Sequence, residues 1–111
     1  MPWFEADDTL PTIGGRALGF GLVLAVEQIL DPAVPDWPPS TARLHLFAAI
    51  DPNLSSRLTA GDVIVAEEIA DAEYAAKRAL SVLAEAGVVA LVAKRFAASV
   101  PNAAAAVGIL A

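Results

Sequence analysis

The chain has 111 residues and a mass of 11.4 kDa, the length of one domain, and its 57% hydrophobic content and mean hydropathy of +0.59 exclude a disordered or solvating segment. Thirteen Asp+Glu against seven Lys+Arg leave a net charge of −6, which argues against a partner in nucleic acid or anionic membrane, since both need basic patches. The absence of cysteine excludes disulfides, thiolate catalysis and Cys-ligated zinc or iron–sulfur sites. The apolar stretches 17–26 and 100–111 fall short of the ~20 residues a spanning helix needs. The start, with Glu5, Asp7 and Asp8, lacks the basic n-region of a secretory signal. A soluble, cytoplasmic protein is expected, with part of its apolar surface meeting a partner chain.

Residues 1–14 hold two prolines, a glycine and three acids, and read as an irregular lead-in to a domain over 15–111. Residues 16–26 are apolar with Gly19 and Gly21 inside, the pattern of a strand with a bulge. Residues 31–41 hold four of the eight prolines and read as a loop. Leu46, Phe47 and Ile50 have helical spacing after Ser40 and Thr41, which predicts a helix over 42–50, and 53–58 reads as a short helical turn. The β-branched run 63–66 reads as a buried strand. Asp71 is a candidate N-cap for a helix to Ala86, with Ala72, Ala75, Ala76, Ala79, Leu80, Leu83 and Ala86 on one apolar stripe and Gly87 ending it. With a second strand at 88–92, residues 62–92 form a β-α-β unit with parallel strands. Short helical pieces at 96–99 and 102–107 are expected on either side of Pro101. The reading is a single α/β domain.

Several segments, in order, resemble a known family. Gly15-Arg16-Ala17-Leu18-Gly19-Phe20-Gly21 with Gln28-Ile29-Leu30 resembles the opening of the isopropylmalate dehydratase small subunit, the swivel domain of the aconitase superfamily. Ile50-Asp51-Pro52, Gly61-Asp62-Val63-Ile64-Val65-Ala66, Ala86-Gly87-Val88, Ala93-Lys94-Arg95-Phe96-Ala97, Pro101-Asn102-Ala103 and Val107-Gly108-Ile109-Leu110 continue the likeness over 15–111. The resemblance implies a swivelling β/β/α domain, C-terminally short against family members that continue with further strands. It also implies a large-subunit partner carrying an iron–sulfur cluster, with no cofactor in this chain. The pair would be a hydro-lyase of leucine biosynthesis, dehydrating and rehydrating hydroxy-acids.

The family's catalytic residues do not carry over. Its loop Gly-x-Gly-Ser-Ser-Arg-Glu supplies a serine for the substrate proton and an arginine for a carboxylate. Aligned without a gap, the serine-serine-arginine positions fall on Tyr74, Ala75 and Ala76. The family's Asp-Thr-Asp falls on Ala25, Val26 and Glu27, so only Glu27 keeps a carboxylate. Ser55-Ser56-Arg57 precedes the strand without flanking glycines and reads as a turn. Glu67, Glu68, Asp71 and Glu73 crowd the loop, and form either an acidic rim that repels an anionic substrate or a site for a hard cation. His45 is the single histidine and reads as a helix residue with a wet ring edge. Tyr74, an ordinary phenol, is a poor base at neutral pH. Trp3, Phe4 and Trp37 lie in irregular segments and read as partner anchors or lids over the core. Two functions follow: a small-subunit-like structural domain, inactive alone, that binds a large subunit or its own copies, or a working subunit whose catalytic groups sit on the large chain.

Overall fold

The computed structural model describes residues 4–6, 16–72 and 74–111; Trp3, Gly15, Glu73, most of the lead-in and the side chain of Phe4 lie outside the described residues. Strands β1 (Phe4–Ala6), β2 (Ala17–Gly19), β4 (Val63–Val65) and β6 (Ala90–Val92) form one sheet in the order β1-β2-β4-β6. Within it β1 is antiparallel and the other pairings are parallel. Strands β3 (Val23–Ala25), β5 (Glu68–Ala70) and β7 (Arg95–Phe96) form a second, all-parallel sheet in the order β3-β5-β7. The pairing of β4 with β6, Val63 opposite Ala90 through Val65 opposite Val92, bears out the parallel β-α-β unit.

Apart from β1, the two sheets are built from the same three stretches of chain. Each stretch makes a strand of the first sheet, breaks for two or three residues (20–22, 66–67, 93–94), and resumes in the second. Residues 16–26 are therefore two strands in different sheets, a correction to the single bulged strand. The two glycines there still report something real. Ala17 opposes Val63 and Val23 opposes Glu68, so six residues span the break in the first stretch where five do in the second. Gly21, at φ +76, lies in the break that carries the extra residue.

Helix α1 (Val26–Ile29) follows β3 directly, its start closed by the Gln28 side chain accepting from the Ala25 amide at 2.9 Å. Helix α2 (Pro39–Ala42) closes the proline-rich loop, with proline in its first turn, where the missing N–H has no helical partner to lose. Residues 42–50 do not form the expected helix. A 3₁₀ turn at Arg43–His45 gives way to Phe47 at φ +59, whose N–H donates to the Ile29 carbonyl at 2.8 Å. Its ring is fully buried and stacks on Phe20 (centroids 4.8 Å, planes 11° apart). A left-handed backbone costs ~1–2 kcal/mol and burying a phenylalanine returns ~1.5–3 kcal/mol, so packing overrides helical spacing here. The 3₁₀ turn Ser55–Arg57 falls where a short turn is expected.

Helix α3 (Ala76–Glu85) buries Ala76, Ala79, Leu80 and Leu83 of the expected stripe, and Val82 besides; Ala72 is exposed and Ala75 and Ala86 are half-buried. It starts five residues later than Asp71: β5 holds the chain to Ala70, and Tyr74, at φ +54, is not helical. Gly87, at φ +96, ends it as expected. Residues 95–106 are a strand and one helix, not two helical pieces. Arg95–Phe96 pairs with β5, and α4 (Ser99–Ala106) takes Pro101 in its first turn, where proline removes no helical hydrogen bond. Leu110 bridges Ala90, donating to the Val89 carbonyl (2.9 Å) and accepting from the Leu91 amide (2.7 Å), so the outer edge of β6 is partly covered. No helix among the described residues is long and apolar enough to cross a membrane.

Candidate functional site

The segment joining β5 to α3 is organised by one carboxylate. Asp71 is 9% exposed; its Oδ1 accepts from the Ala75 amide at 2.7 Å and its Oδ2 from the Ala76 amide at 3.2 Å. The Ser99 hydroxyl, at the start of α4, donates to Oδ2 at 2.6 Å, and the Glu27 side chain on α1 lies beside it. Burial pushes the Asp71 pKa up, but the Ser99 hydroxyl, the two amides and the Glu27 contact outweigh it and hold the group below the ordinary aspartate value. Asp71 thus serves the start of α3 from a distance and ties α3 to α4 as an anion. The sequence reading put Asp71 at the N-cap itself; that position is Ala75, and Asp71 reaches the first amides from four residues upstream, with Ser99 as a partner the sequence reading missed. The signal was a serine two residues ahead of a proline, a helix-opening pattern that the reading placed at a helix end.

The three positions aligned with the family's serine-serine-arginine lie in this turn. Tyr74 stands at φ +54 with its ring 86% exposed, and Ala75 and Ala76 present methyl groups. Glu27 lies beside them through Asp71, so the structure brings the four family-site positions together. What it assembles there is a phenol, two methyls and a carboxyl beside a structural aspartate. The nearby hydroxyl and guanidinium serve elsewhere. Ser81 lies further along α3, and Arg78 donates to the carbonyls of Val34 (2.7 Å) and Pro35, fastening the proline-rich loop to the helix.

The acidic group disperses instead of crowding. Glu67 pairs with Lys94 and Glu68 with Arg95, each at 3.4 Å, while Asp71 turns inward and Glu73 is outside the described residues. No group of three metal-ligating side chains forms among the described residues. Ser55 and Ser56 donate to the carbonyls of Leu44 (3.0 Å) and Asn53 (2.9 Å), a turn's own bonds. His45 lies in a 3₁₀ turn, its ring 5.1 Å from that of Trp37. Two grooves flank these elements. One of about 520 Å³ runs along the breaks between the sheets, lined by Phe20, Leu22, Val65, Val92 and the Glu67–Lys94 pair. The other, about 430 Å³, lies between the proline-rich loop and α3, with Trp37 and Tyr74 among its walls.

A solved structure of 3-isopropylmalate dehydratase (leuD) from Methanocaldococcus jannaschii shares this architecture with a TM-score of 0.70 and 29% sequence identity, over 81% of this chain. The chain is similar to the isopropylmalate dehydratase small subunits. It spans 55% of the length of that matched chain. No protein-family model and no curated protein matches it. The likeness read from the ordered motifs is therefore one of fold and sequence together, and this small-subunit-like chain keeps the framework while the positions aligned with the catalytic loop hold Tyr74, Ala75 and Ala76.

Proposed function

We propose that this chain is an isopropylmalate dehydratase small-subunit-like domain that pairs with a large aconitase-type subunit in the cytoplasm and contributes no catalytic group of its own. The observation that carries the reading is the turn before α3, where Tyr74, Ala75 and Ala76 offer neither a serine nor a carboxylate clamp and Asp71 engages the amides of Ala75 and Ala76. General acid–base catalysis contributes ~10²–10⁴-fold and positioning adds more, so a chain lacking both groups leaves no measurable turnover of its own. With no cysteine, the chain offers no thiolate to an iron–sulfur cluster, and such a cluster belongs to the partner in this reading. Exposed Leu22, Val23 and Leu110 offer apolar surface to that partner or to a second copy.

A second reading is favoured by Lys77, a cation in the first turn of α3 beside Tyr74. It makes the chain a working subunit of a two-subunit hydro-lyase whose remaining catalytic groups sit on the large chain. One experiment separates the two: pull-down against a family large subunit, followed by a hydratase assay with an isopropylmalate substrate. The first reading expects a complex without turnover. Turnover that depends on this chain and is lost in Lys77→Gln supports the second, and turnover that survives every substitution over 67–78 places the active site elsewhere.

A further inference from the structure

The groove between the proline-rich loop and α3 has walls that are aromatic and charged, independently of any pairing with a large subunit. Its volume, about 430 Å³, falls in the range of roughly 300–1,000 Å³ typical of small-molecule sites. The loop wall is held before any ligand arrives. Arg78 clamps the loop through the Val34 and Pro35 carbonyls, and Trp37 leans against the His45 ring at 5.1 Å. Tyr74 projects from a turn pinned on its C-terminal side by the bonds of Asp71 to the next two amides.

Asp36, Lys77 and Ser81 complete the lining, and none of them makes a hydrogen bond or ion pair among the described residues. Lys77 and Ser81 are one helical turn apart on α3, so they share a face. With Arg78, the groove holds two cations against one acid in a chain of net charge −6, which favours an anion. The backbone amides of Ala75 and Ala76 are taken by Asp71, so the many-donor cradle a phosphate wants is not offered, whereas Lys77 with Ser81 suits one carboxylate. Asp36 on the opposite wall opposes a second negative charge. Trp37 and Tyr74 line the groove, and aromatic side chains of this kind pair favourably with a planar ring. We infer that this groove binds a small planar aromatic monocarboxylate.

The test is calorimetric and NMR titration of the full chain with 2-naphthoate, against 2-naphthamide, cyclohexanecarboxylate and naphthalene-2,6-dicarboxylate. The expected result is saturable 2-naphthoate binding below about 10 mM, with the three comparators roughly tenfold weaker and shifts at the Trp37 indole N–H and the Lys77 and Ser81 amides. Lys77→Gln should weaken 2-naphthoate by roughly tenfold without changing the amide, and Asp36→Asn should strengthen the dicarboxylate. Both substitutions are at the surface and leave the core intact. Absence of binding at about 10 mM, equal binding of cyclohexanecarboxylate, shifts centred on Phe20 and Val92, or an unchanged affinity in Lys77→Gln would each overturn the assignment.

Discussion

Tyr74 and Phe47 both hold left-handed backbone, and their surroundings differ in a way that predicts opposite mutational behaviour. Phe47 is buried and stacked on Phe20, so its strain is offset by packing; Tyr74 is 86% exposed and buries no ring in return. Tyr74→Gly removes ~1–2 kcal/mol of strain and adds ~0.5–1 kcal/mol of chain entropy to the unfolded state. A net gain of roughly 0.5–1 kcal/mol is expected, read as a raised urea midpoint at unchanged slope. At Asp71 the direction of the pKa shift sets a pH dependence. The folded-state pKa lies below the unfolded one, so the carboxylate's stabilisation is fully present above the unfolded value and is lost as pH falls through the folded value. Asp71→Asn should cost ~1–3 kcal/mol at neutral pH by weakening three charge-assisted bonds, and its stability curve should be flatter below about pH 4. Equal acid limbs in the two proteins would show that Asp71 does not carry the linkage.

Elements were legible where local chemistry and tertiary environment agreed. Val63–Val65 and Ala90–Val92 are β-branched or apolar runs bounded by turns, and Gly87 ends α3 as a left-handed glycine should. An added Cβ at Gly87 would sit 2.6 Å from the Ala60 Cα, in a turn where the Gly61 amide donates to the Gly87 carbonyl at 2.8 Å. Gly87→Ala is therefore expected to destabilise by more than ~1 kcal/mol, a loss of at least ~4 °C in the thermal midpoint of a domain this size. Legibility failed where a distant partner decided the outcome. The helical spacing of 42–50 is overridden by the Phe20 ring, and residues 95–96 pair with β5 across 27 residues of chain, which no local pattern encodes. The candidate site shows the same division. That Asp71 serves the start of α3 was readable from its neighbours, though the N-cap itself is Ala75; Ser99 reaches it from another helix, and the grooves exist only once the loop is folded onto α3.

On the scale of the whole molecule, the family framework and the proposed absence of catalytic side chains are separable because they rest on different parts of the chain. The paired strands, the breaks between them and the glycine turns carry the resemblance, while of the site positions Tyr74 is exposed and only Ala76 is fully buried in the core. The shared origin of the two sheets has a dynamic consequence. Neither sheet can open alone, because each interior pairing of one continues, two or three residues later, into a pairing of the other. A slip of β4 against β6 would drag β5 against β7 by the same step and turn Ile64 and Ile69, both fully buried, toward the opposite faces of their sheets. The two sheets should thus behave as one foldon: amide hydrogen exchange at Ile64 and Leu91 in the first sheet and at Ile69 in the second should report the same opening free energy and respond in parallel to denaturant. Faster, separately titrating exchange in the second sheet would mean that the breaks act as hinges, and that the molecule swings along the line where its strands change sheets.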